Sequence, residues 1–271
     1  MKPEPRSLEA LRTEALAALQ QGRTIESLTL LRELVARRPD DDIARNNVGC
    51  VLLELERPEE AVEVLGPGEG RGNPALLKTL GYALLQQGEL RDAERLLRRV
   101  LEANPEDSDA RNHLGLTLLR RDRLQEAVLE FTRVVREHAS KVEAWINLGC
   151  AHRRRRDADG ARSAFERALR IDPYNVDGHN NLGCVLRDQG HIAEAIEELQ
   201  IAVTLEPRNP SIHLNLALCL RHAKRAREAS SHLRRYLRYG HQESQLDTVH
   251  RLLRELEAEV KQPEENRSWV G

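Results

Sequence analysis

One spacing recurs through this chain and constrains its fold more than anything else. Gly49, Gly81, Gly115, Gly149, Gly183 and Ala217 each follow Leu or Val, at spacings of 32, 34, 34, 34 and 34. Twelve residues after each stands another small residue: Ala61, Ala93, Ala127, Ala161, Ala195 and Ala229. Ala15, Ser27 and Pro39 form a fainter first copy, and Pro105, Pro173 and Pro207 close later ones as Pro39 closes the first. Seven copies result, beginning near residues 8, 42, 74, 108, 142, 176 and 210. A unit of this length cannot bury its apolar face alone. It has to stack on its neighbours, which makes the chain a repeat array rather than a globule with one centre.

Within a unit the pattern is helical. In the sixth, His179, Leu182, Gly183 and Leu186 fall at i, i+3, i+4 and i+7, on one helix face. A turn follows at Asp188-Gln189-Gly190, and Ile192, Ala195, Ile196, Leu199 and Ala202 mark a second amphipathic helix. Pro207 ends it, because proline lacks the amide that helix bonding needs. The small residues belong where the two helices cross closely, and a large side chain there overpacks the crossing by about 1–3 kcal/mol. Composition agrees: 40% hydrophobic, 32% charged and only 3% aromatic residues describe a helical core built from Leu, Ala and Val.

Trp145, Leu148, Gly149, Ala161, Phe165, Ala168 and Pro173 resemble, position for position, the signature of the tetratricopeptide repeat. The resemblance covers residues 8 to about 241. It implies an all-α, right-handed α-solenoid, a superhelix of seven helix-turn-helix repeats. The expected organisation is an N-terminal arm (1–7) followed by repeats at 8–41, 42–73, 74–107, 108–141, 142–175, 176–209 and 210–243. Leu246, Val249, Leu253, Leu256 and Val260 lie on one side of a final helix over 244–261, which caps the array, and 262–271 reads as a flexible tail. GPGEGRGNP (66–74) closes a second repeat two residues short. It lacks the Lys-Ser/Thr of a phosphate loop and is read as a flexible joint.

In the sixth unit the stripe opposite the core is Asp177, Asn181, Cys184 and Asp188, edged by Asn180 and Arg187. In the family this stripe lines the concave channel. Asn147, Asn181 and Asn215 repeat at one register, as Asn47 does earlier; Cys150 and Cys184 repeat at another, and Arg153, Arg187 and Arg221 at a third, with Arg154 beside the first. A carboxamide both accepts and donates, so an Asn row can hold an extended peptide backbone, while Arg adds charge-assisted bonds to carboxylates. The row resembles the asparagine ladder in the repeat domain of O-linked N-acetylglucosamine transferase, in shorter form: Thr13, Thr79 and His113 replace it in other units, and no length is left for a catalytic domain. Two readings stand: a backbone grip, or amides that cap and bridge neighbouring helices. The family's carboxylate clamp is not matched, since Leu16 stands where that clamp has an Asn beside Arg12.

The net charge of -2 hides an asymmetry. Residues 1–70 carry 9 basic and 14 acidic side chains, and residues 142–241 carry 16 and 12. That points to a polar, acidic partner rather than nucleic acid, which calls for a larger basic excess. Arg153-Arg154-Arg155-Arg156 divides into two arginines facing the channel and two finishing the helix and turn. The four cysteines make no CxxC pair, His179 and His213 occupy core positions, and no metal or cofactor site is expected. The N-terminus shows no signal peptide and the chain no membrane span, which suggests the cytoplasm. The function expected is a non-catalytic scaffold that binds an extended, acidic peptide in the groove of the later repeats. The alternatives are a self-assembling array, with Trp269 docking in a neighbour, and an adaptor presenting substrates to a separate enzyme. No nucleic-acid or membrane partner is expected.

Overall fold

The computed structural model describes residues 6–240 and 245–261. The expected tail, with Trp269, most of the N-terminal arm and the first residue of the expected capping segment lie outside these. Among the described residues there are fifteen α-helices and no strand. The first eight are α1 (Leu8–Gln20), α2 (Thr24–Arg37), α3 (Asp42–Glu54), α4 (Pro58–Leu65), α5 (Pro74–Gln87), α6 (Leu90–Ala103), α7 (Ser108–Arg120) and α8 (Leu124–Glu137). The other seven are α9 (Val142–Arg154), α10 (Ala158–Ile171), α11 (Val176–Asp188), α12 (Ile192–Leu205), α13 (Pro210–His222), α14 (Ala226–Tyr239) and α15 (Leu246–Lys261). They fall into two compact units, Met1–Glu137 and His138–Gly271. Within each, a helix packs on the next in sequence, and the first helices of successive hairpins also touch: α3 on α5 and α5 on α7 in one unit, α9 on α11 and α11 on α13 in the other.

Local sequence explains where each hairpin starts and turns. Ser7, Asp41, Asn73, Asp107, Asn175 and Asn209 each accept a hydrogen bond from a backbone N–H in the first turn of the helix that follows. The turns between paired helices pass through left-handed backbone at Gly22, Gly88 and Gly190, and also at Glu56, Asp122, Arg156 and Lys224, with φ between 57° and 93°.

The glycines sit where the pattern demands closeness. A Cβ at Gly49 would lie 2.6 Å from Leu65, at Gly81 2.9 Å from Leu97, at Gly115 2.6 Å from Phe131, at Gly149 2.5 Å from Phe165, and at Gly183 2.6 Å from Leu199. Each contact joins a first helix to the residue sixteen places later on its partner. Phe131 and Phe165 are wholly buried there, and burial of such a ring stabilises by about 1.5–3 kcal/mol.

A second recurrent contact ties five of the hairpins to the chain before them. One side chain near the start of the first helix donates to the carbonyl six residues upstream: Arg45 to Pro39 at 2.6 Å, Arg111 to Pro105, Trp145 to Ala139 at 2.9 Å, His179 to Pro173 and His213 to Pro207 at 3.0 Å. Four of the five also reach a residue nineteen places on: Arg45 the Val64 carbonyl, Arg111 Glu130, His179 Glu198 and His213 His232. This accounts for polar groups in the core. His179 is 7% and His213 0% exposed because both ring nitrogens are satisfied.

Two expectations change. The Gly-rich segment is not a loose joint: Gly66–Arg71 forms a 3-10 helix with Gly68 buried. Arg71 pairs with Asp42 at 2.5 Å and Glu69 with Arg95 at 2.7 Å, which pins the turn to its own unit, and the division between units falls at Glu137 instead. On α15, Val249 and Leu256 are buried as expected, but Leu252 is the third buried residue, while Leu246, Leu253 and Val260 are half-covered. The helix is rotated so that Leu252 meets the core that Tyr236 and Leu233 leave open.

Candidate functional site

In the C-terminal unit, the first helices α9, α11 and α13 bring their polar stripes to one cleft of ≈ 450 Å³. Arg153 and Arg154 come from the last turn of α9, where helix carbonyls favour cations. Asn180, Asn181, Cys184, Arg187 and Asp188 come from α11, and Asn215 from α13. The other half of the arginine run finishes the hairpin: Arg155 pairs with Asp157 at 2.5 Å, and Arg156 occupies the left-handed turn. Asp157 also accepts from the Gly160 amide and from Arg155, and its carboxyl is held down to about 2.

Hydrogen bonding decides how the cleft presents its groups. The Asn215 amide donates to the Asn180 side-chain carbonyl at 2.9 Å, joining α13 to α11. Asn181 donates to the Asp177 carbonyl of its own helix at 2.8 Å. Part of the amide row therefore bridges helices. Arg187 lies 2.9 Å from Asp188, and its side chain is 20% exposed, so it is oriented before any ligand arrives.

Seven of the ten residues picked from the sequence line this cleft, and Asp188 joins them. Cys184 does so as its floor, 4% exposed rather than openly displayed. A wheel drawn for one helix leaves out α9 and α13, which flank α11 and narrow its open stripe. The remaining three do not converge. Asn147 is half-buried on α9, Cys150 packs against the core, and Arg221 turns to Glu255 of α15 at 4.0 Å. Burial pushes the Cys150 and Cys184 thiols up and Cys219 up to about 11, so all three are protonated at neutral pH and act as small apolar surface rather than nucleophiles.

The N-terminal unit uses the same register differently. Leu53-Glu54 stands where the C-terminal unit has Arg153-Arg154, and Tyr82 where it has Cys150 and Cys184. These residues border a cavity of ≈ 480 Å³ with Glu56, Pro58 and Gln86. The Tyr82 ring is stacked on His113, with centroids 4.2 Å apart. Aligning the seven units would have flagged these positions; following only the Asn and Arg rows passed over them. Arg12, the one residue compatible with a carboxylate clamp, is paired with Asp41 at 2.5 Å.

One tetratricopeptide repeat model matches residues 12–65, 78–141 and 180–243, and a second model of that repeat matches 142–175. A TPR repeat-containing protein of Pseudomonas aeruginosa is 32% identical over 117 residues, which cover 42% of this chain and 20% of that protein. The chain thus matches only about a fifth of that relative's length. Among solved structures, a tetratricopeptide repeat protein from Parabacteroides merdae superposes with a TM-score of 0.71 at 15% identity, covering 92% of this chain and 98% of that one. The Cut9-Hcn1 hetero-tetramer of the APC/C gives 0.67 at 16% identity, over 94% of this chain and 50% of the other. YrrB, described as a TPR protein with an unusual peptide-binding site, gives 0.54 at 19% identity, over 72% and 97%. At these identities the structural likeness is one of fold. Among the described residues, no helix is long and apolar enough to cross a membrane.

Proposed function

The chain belongs to the tetratricopeptide repeat family, and on that premise we propose that it is a non-catalytic scaffold holding an extended, acidic segment of a partner protein in the C-terminal cleft. The observation that carries this reading is the convergence of Arg153, Arg154 and Arg187 with Asn180, Asn181 and Asn215 from three successive first helices. Guanidinium groups make charge-assisted, two-pronged bonds to carboxylates. Asparagine groups can serve a peptide backbone without reading its sequence. Asp188 restrains Arg187, which reduces the ordering cost of binding. The peptide-binding site named for YrrB, on the same fold, is a supporting parallel.

The test is to titrate the purified chain with extended acidic and neutral peptides at low and high salt. Tight binding of the acidic set, weakened by salt and by Arg187→Glu, is the expected outcome. Salt-indifferent binding, or none, sinks the reading and moves attention to self-association, which light scattering over a concentration series would then measure.

A further inference from the structure

We propose that the N-terminal unit carries a second, electrostatically opposite site: the cavity beside Tyr82 takes the cationic side chain, arginine or lysine, of an extended peptide. The proposal stands independently of the C-terminal cleft.

The cavity is bordered by Leu53, Glu54, Glu56, Pro58, Tyr82 and Gln86 and holds ≈ 480 Å³, ample for one long side chain and the backbone that bears it. Its carboxylates differ from others on the same helices. Asp41 is paired with Arg12, Asp42 with Arg71, and Glu60 with both Arg32 and Arg57. No ion pair among the described residues is made by Glu54 or Glu56, although arginine is the commonest charged partner throughout the chain. The nearby cations are engaged elsewhere, Arg57 on Glu60 and Lys78 on Asp107 at 3.0 Å. Two carboxylates thus border one cavity with no internal cation to neutralise them.

The aromatic wall makes this more than an acidic surface. Tyr82 stacks on His113 at an interplanar angle of 16°, so the ring is fixed before a ligand arrives. A guanidinium or ammonium set against such a ring gains cation–π attraction, and Leu53 and Pro58 offer apolar surface to its methylene stem. Gln86 adds an amide that can bond peptide groups. Aromatic wall, apolar rim and paired carboxylates together match a long cationic side chain. They do not match a carboxylate, which Glu54 and Glu56 repel, and the apolar rim of Leu53 and Pro58 offers nothing to a hydrated metal ion.

The experiment uses the full chain and acetylated, amidated nine-residue Gly/Ser peptides whose central residue is Arg, Lys, Gln or Glu, titrated by calorimetry and by backbone NMR shifts. Binding of the Arg and Lys peptides, at least tenfold tighter than Gln or Glu, is expected, with shifts centred on Tyr82. The exposed pair Glu54→Gln/Glu56→Gln should weaken the Arg peptide at least tenfold and flatten its salt dependence. Tyr82→Ala should weaken it too, whereas Tyr82→Phe should preserve it. Acidic-peptide binding should be untouched by E54Q/E56Q. Equal affinity for the Arg and Gln peptides, no binding at millimolar peptide, or an unaltered E54Q/E56Q affinity each overturns the proposal. So does loss of both peptide classes in that variant.

Discussion

Leu53-Glu54 and Arg153-Arg154 occupy one register of one repeated hairpin, three repeats apart, yet their surroundings carry opposite charge. Around the first pair stand Glu56, Tyr82 and Gln86; around the second stand Arg187 and three asparagines. The crossings beneath are alike, with Gly81 against Leu97 in one unit and Gly149 against Phe165 in the other. The contrast teaches that the period holds the buried face constant in both units while the open stripe keeps its residues only locally. Helix spacing is set by residues that touch, whereas the open stripe is free to change sign without disturbing the stack.

The largest expected effect tests the charge directly. Arg153→Glu with Arg187→Glu should lower acidic-peptide affinity by at least about 100-fold, since each charge-assisted bond contributes about 1.5–3 kcal/mol. Introducing Leu53→Arg with Glu54→Arg should instead create acidic-peptide binding in the N-terminal unit. Equal peptide preference in all three proteins would erase the distinction between units.

Next come the crossings. Gly149→Ala places a methyl 2.5 Å from the rigid Phe165 ring, and Gly81→Ala places one 2.9 Å from a more adaptable Leu97. Both should destabilise, by about 1–3 kcal/mol, with Gly149→Ala the worse. Chemical denaturation of the two variants would show the order, and a reversed order would refute the account of ring rigidity.

Acid should distinguish the units next. His213 gives its Nε2 proton to Pro207, so its Nδ1 accepts from the Nδ1–H of His232 at 2.9 Å. Burial, the His213 ring and Arg235 hold His232 down at about 4. The unfolded chain therefore binds the proton more readily between pH 6.5 and about 4, and stability falls as pH falls through that window. For a half-open ring, solvent screening leaves about 1–2 kcal/mol. His232→Gln should reduce the dependence, leaving the smaller part that burial of His213 contributes; thermal melts at pH 7 and 4.5 that shift equally in both proteins would contradict this.

The smallest effect concerns the turns. Glu56 and Lys224 hold φ of 57° and 58°, where the N-terminal unit's first turn has Gly22. Glycine at either position should stabilise by about 0.5–1 kcal/mol. A drop in melting temperature would show that the side chains there make compensating contacts.

The fold was legible because the period and the Leu, Gly and Ala positions describe contacts within one hairpin. The site was legible in part. Arg153, Arg154 and Arg187 follow from register alone, but the covering of Cys184 depends on α9 and α13, and the Asn180–Asn215 bond joins two repeats. That Arg221 lies near Glu255 was not legible, because Glu255 comes from the helix outside the period. The Gly-rich segment was misread for a similar reason. Four glycines in seven positions suggest looseness, whereas Arg71 and Arg95 fasten it by charges that composition does not locate.

The upstream carbonyl bonds of Arg45, Arg111, Trp145, His179 and His213 bear on how the chain is made. Each spans only six residues and points backwards, so its acceptor leaves the ribosome before its donor. Contacts of such short sequence separation close early in folding. Each of these five hairpins, on emerging, thus meets a landing point already synthesised, and growth can proceed link by link from the N-terminal side without waiting for the chain to finish. Guanidinium, indole and imidazole all serve, because the requirement is only a long side chain with an N–H at its tip.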